Sequence, residues 1–167
     1  MTVSPDSLSF LGADDVHAFE DLLNQFVANT GAQCTLLVDR TGRLLAQAGD
    51  TAALDGVAFA SLASADFAAS DQLAALLGEE EFTSLYHHGA GRSMFLAEIG
   101  GAAILAALFD TRTTLGMVRI TTKSLVPRFA EHFARIAERG PSGQVVHMQS
   151  DWANEAESEI DRLFNEK

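Results

Sequence analysis

The sequence predicts an α+β domain whose elements run helix, β-hairpin, helix, three strands, helix. Three observations carry this. Stretches near 14–30, 57–77 and 113–139 repeat apolar residues every three or four positions, which gives a helix one apolar face. Between the first two lie the strand-like runs CTLLVD and RLLAQAG, joined through Asp39-Arg40-Thr41-Gly42. Between the last two lie three further runs, parted by Gly89-Ala90-Gly91 and Gly100-Gly101, which are hairpin signals.

The first helix, from Asp14 to Thr30, places Val16, Phe19, Leu23, Phe26 and Val27 on one side and stops at Gly31. In the hairpin that follows, Asp39 can hydrogen-bond backbone two residues ahead and Gly42 can take a positive φ. A phosphate-binding loop would need several glycines opening a helix, so Asp39–Gly42 reads as a turn and not as a chemical site. The second helix, about Val57 to Leu77, gathers Phe59, Leu62, Leu73, Leu76 and Leu77 on one side, the expected core face. Opposite stand Ala60, Ser61, Ser64, Ala68, Asp71 and Ala75, small enough to let a neighbour approach.

Gly78 and Glu79–Glu81 precede the runs FTSLYHH (82–88), RSMFLAEI (92–99) and AAILAALFD (102–110). The last does not alternate, which predicts a central strand covered on both faces. The third helix, about Thr113 to Arg139, buries Leu115, Val118, Leu125, Phe129, Phe133 and Ile136. It also carries Arg119, Lys123, Arg128, Arg135 and Arg139. Pro127 inside it removes a backbone hydrogen bond and predicts a kink or break. The chain thus divides into an N-terminal segment (1–13), a domain (14–139), a linker (140–149) and an acidic amphipathic helix (150–167). In that last helix Trp152, Ala156, Ile160 and Leu163 share a face.

Eleven Lys and Arg stand against 23 Asp and Glu, a formal charge of −12, which repels nucleic acid and anionic lipid. Cys34 is the single cysteine, so neither an intrachain disulfide nor a cysteine-rich zinc site is available. MTVSPDSLSFLG does not read as a signal peptide and no apolar run spans a bilayer, so the expected compartment is the cytoplasm. His87 and His88 are adjacent in a strand and point to opposite faces, which a single metal ion cannot use. No nucleophile motif, phosphate loop or dinucleotide fingerprint is present. The reading is therefore of a protein without an active site, cofactor or metal of its own.

The segments GAQCTLLVDRTGRLLAQAG (31–49), AALLGEEEF (74–82) and AAILAALFDTRTTLGMVRI (102–120), in this order and spacing, resemble the Roadblock/dynein light chain superfamily. The likeness is to bacterial polarity proteins of the MglB type and covers roughly 14–139. It implies a five-stranded antiparallel sheet sandwiched by helices, α-β-β-α-β-β-β-α, with the second helix on one face and the first and last on the other. It also implies a homodimer or higher oligomer in which second helices lie side by side and sheets join. The implied function is regulation of a small Ras-like GTPase of the MglA type in cell polarity and gliding motility, by activating GTP hydrolysis and aiding nucleotide exchange. The activator's own arginines, Arg40, Arg92 and Arg112 among them, are then not expected to enter the GTPase site. The expected interface is Ala60, Ser61, Ser64, Ala65, Ala68 and Asp71, with Trp152, Ile160 and Phe164 of the tail as a second contact. The alternatives are a Roadblock scaffold or light-chain dimer that binds a GTPase or motor complex without altering hydrolysis, and a PAS-like or GAF-like ligand sensor.

Overall fold

A computed structural model describes residues 11–139. The residues before Leu11, the linker 140–149 and the predicted acidic helix over 150–167 lie outside the described residues.

The elements are α1 (Ala13–Thr30), β1 (Cys34–Asp39), β2 (Leu44–Gly49), α2 (Gly56–Leu77), β3 (Ser84–His88), β4 (Ser93–Ile99), β5 (Ala103–Phe109) and α3 (Leu115–Arg139). The five strands form one antiparallel sheet in the order β2-β1-β5-β4-β3. β5 is its central strand, as the unbroken apolar run AAILAALF predicts. Alternation divides its side chains between two cores. Ala103, Leu105, Ala107 and Phe109 join α1 and α3, while Ile104 and Ala106 join α2.

On the α1/α3 face, Phe19 lies 4.8 Å from Phe133 and 6.1 Å from Phe129, ring centre to ring centre. Leu23, Phe26, Leu125 and Ile136 fill the same layer. α3 runs unbroken through Pro127, so the expected break does not occur. Pro127 sits on the exposed side, and buried Leu125, Phe129 and Phe133 hold the helix before and after it against the rest of the domain. That packing outweighs the one hydrogen bond the ring removes.

The orientation of α2 corrects the expectation. Ala60, Ala63, Phe67, Ser70 and Ala74 face the sheet, and Leu62, Leu73, Leu76 and Leu77 point away from it. Phe59 alone of the expected core residues is half-buried against the cluster. Both sides of this helix are apolar, and the smaller side packs inward because alanines let the helix lie low on the sheet. Phe67 is the one large fully buried side chain that α2 adds to this layer, alongside Leu36, Val38, Leu96 and Ile104.

Candidate interaction surface

The turn between β1 and β2 sets how α2 sits. Asp39, 2 % exposed, accepts from Thr41 N–H (2.9 Å), Thr41 Oγ1–H (2.7 Å), Arg43 N–H (2.9 Å) and Arg43 Nε–H (3.1 Å). The carboxylate is thus consumed in closing the turn. Gly42 has φ 89°, and a Cβ there would come 3.1 Å from Cα of Ser61, so turn and helix touch backbone to backbone. The Ser64 hydroxyl donates to the Arg40 carbonyl at 2.8 Å.

Arg40 reaches under α2. Its guanidinium donates to Asp71 at 2.7 Å, lies 3.9 Å from Glu98 on β4 and stands 5.4 Å above the Phe67 ring. Burial raises the Glu98 pKa, and the Glu81 charge adds to the rise more than Arg40 offsets it. At the other side of α2, Asp66 pairs with His87 Nε2 at 2.7 Å. Asp66 and Asp71 are the only charged residues in the 22-residue helix, and both are turned to its flanks and paired.

What remains outward on α2 is an uncharged strip about 21 Å long from Leu62 to Leu76. Leu62, Ala65, Ala68, Ala69, Leu73 and Leu76 are exposed along it, Leu76 at 83 % and Leu62 at 71 %. Apolar surface this continuous is unusual on an isolated domain, which makes the strip a candidate interaction site. Beyond it, β3 pairs only with β4 among the described residues, which leaves its other edge open. An open strand edge is a template for another strand.

The expected interface residues therefore separate. Ser61, Ala65 and Ala68 are on the outward strip. Ala60 is fully buried on the chain's own sheet, which removes it from any interface. Ser64 and Asp71 are engaged by the turn and by Arg40. Trp152, Ile160 and Phe164 lie outside the described residues. Leu62, Leu73 and Leu76, expected in the core, are exposed on the same strip. The signal for them is a helix apolar nearly all round, which must be covered on two sides.

Several other polar side chains have partners within the domain. His87 and His88 point to opposite faces, His87 to Asp66 and His88 Nδ1 to Tyr86 OH (3.1 Å) and Ser93 Oγ (3.0 Å). Hydrogen bonds from Arg112 hold the Asp110 carboxylate below its usual pKa, and Gln33 donates to it at 2.9 Å. Burial pushes the Cys34 thiol up, which makes it a poor nucleophile. Among the described residues no three His, Cys, Asp or Glu side chains converge as metal ligands would. No described helix is long and apolar enough to cross a membrane.

Comparison with known proteins places this geometry. Myxococcus xanthus MglB superposes with a TM-score of 0.72 at 30 % identity, over 75 % of this chain and 95 % of that one. The gliding protein MglB from Thermus thermophilus gives 0.66 at 32 %, over 78 % and 96 %. A structure described as MglB with a tetrameric arrangement gives 0.71 at 29 %, over 75 % and 95 %. No curated protein matches the sequence. The model of the Roadblock/LC7 domain matches residues 18–109, from α1 through the whole sheet. With that match and this sheet order, the chain belongs to the Roadblock/LC7 family.

Proposed function

We propose that this protein is a dimeric regulator of a small Ras-like GTPase of the MglA type, which activates GTP hydrolysis without an active site of its own. The observation that carries the reading is the uncharged outward strip of α2 beside the open edge of β3. Two copies laid α2 against α2 would cover Leu62, Leu73 and Leu76 with the same residues of the partner copy, as a two-fold interface requires. The joined helices would offer a broad platform to the GTPase. The likeness to MglB chains supports the same assignment. Activation works in this reading by repositioning residues the GTPase already owns. The tail, with Trp152, Ile160 and Phe164, is a second contact that assists nucleotide exchange.

The test is GTP turnover by a cognate Ras-like GTPase with and without this protein. Faster turnover that saturates at two copies of this chain per GTPase is the expected result. Binding without any change in turnover would make the protein a scaffold. Absence of binding would refute the reading.

A further inference from the structure

The first half of α3, Leu115–Val126, contains Arg119 and Lys123 and no acidic residue. Both basic side chains are exposed, and neither has an ion-pair partner among the described residues. Between and beside them Met117 is 47 % and Ile120 is 71 % exposed. A basic pair around an exposed isoleucine stands out on a chain of net charge −12. This patch is distinct from the α2 strip, since α3 packs on the opposite face of the sheet. Its complement is an amphipathic segment with acidic edges.

The chain carries such a segment itself. Residues 150–167 hold six acidic and two basic residues. At helical spacing Trp152, Ala156, Ile160 and Leu163 form a stripe, and Glu155, Glu159 and Glu166 fall along one edge of it. Reach allows the contact. Ile120 and Arg139 are separated by about 28 Å of helix, and the linker 140–149 can extend by about 33 Å. We propose that, in the free protein, residues 150–167 fold back and dock on the outward face of α3 of their own chain. The apolar stripe covers Met117 and Ile120, and the acidic edge meets Arg119 and Lys123. The tail is then held until a partner with a better-matched groove takes it, so any exchange role it has is restrained by its own domain.

Trp152 is the only tryptophan, so its fluorescence reports on the tail alone. The experiment uses the full chain with no GTPase present, and its outcome is therefore independent of the function proposed above. Expected are a blue-shifted emission and weak quenching by acrylamide. Ile120→Glu and Lys123→Glu, both at exposed positions, should each shift emission to that of a solvated indole and raise quenching severalfold. Arg112→Glu, on the β5–α3 loop, should change neither. Thermal melting of each variant confirms that the domain remains folded. Solvated emission in the unaltered protein, or no change in both α3 variants, would overturn the proposal. So would a blue-shifted emission that fades to that of a solvated indole as the unaltered protein is diluted, since the tail would then be seated on a neighbour.

Discussion

Arg40 lies in the tight turn where a reader of the sequence would look for a catalytic arginine, yet its guanidinium is spent on Asp71, Glu98 and the Phe67 ring. Arg112 is likewise bound to Asp110, two residues back. An arginine supplied in trans to a GTPase accelerates hydrolysis by about 10³ to 10⁵. Alanine at Arg40, Arg92 or Arg112 in turn should leave activation within a few-fold, measured as GTP turnover, and collapse at any one of them would overturn the mechanism. Glu98 makes a different prediction. Its folded carboxyl has a raised pKa, because burial and Glu81 both oppose its charge. The folded state therefore holds that proton to higher pH than the unfolded chain does. Stability falls as pH rises from the ordinary carboxylate value through the raised one. Glu98→Gln should remove this loss, so that the variant melts above the unaltered protein at pH 7 and the two converge near pH ~4. A variant less stable at pH 7 would show that the Arg40 contact outweighs both opposing effects.

At the scale of the element, α2 is a helix with two apolar faces and different duties for each. Its inward alanines set the distance to the sheet, and its outward leucines are left exposed by the described residues. The two faces should respond oppositely to substitution. Ala60→Leu forces extra volume under the helix and should cost about 1–3 kcal/mol by chemical denaturation, with self-association unchanged among the molecules that fold. Ala68→Arg and Leu62→Ser lie on the outward strip, and there each should reduce the mass seen by light scattering while the domain still folds. An unchanged mass together with unchanged GTPase binding would remove the strip from the interface.

For the whole molecule, both hydrophobic layers close within the described residues. We therefore expect the tail to be an attachment to this domain and not part of its core. Truncation after Gly140 should lower nucleotide exchange on the GTPase. It should move the melting temperature by no more than the roughly 2–4 °C that about 1 kcal/mol represents in a protein of this size. A much larger fall in melting temperature, with exchange untouched, would make the tail part of the core.

The order of elements, the central place of β5 and the turn at Asp39–Gly42 were legible in the sequence, because each depends on local patterns: periodicity, an unalternating apolar run, turn residues. Residue type also excluded a phosphate loop and a cysteine-rich zinc site. The tertiary structure decided which side of α2 faces the sheet. Periodicity shows that a helix has apolar faces, but when two compete, the choice depends on the depth of the layer beneath, here filled by Phe67 with Leu36, Leu96 and Ile104. The same holds for Pro127, whose local cost is readable while the packing that absorbs it is not. It holds too for Arg40, Asp71 and Glu98, which meet only because the β1–β2 turn, α2 and β4 are brought together by the fold.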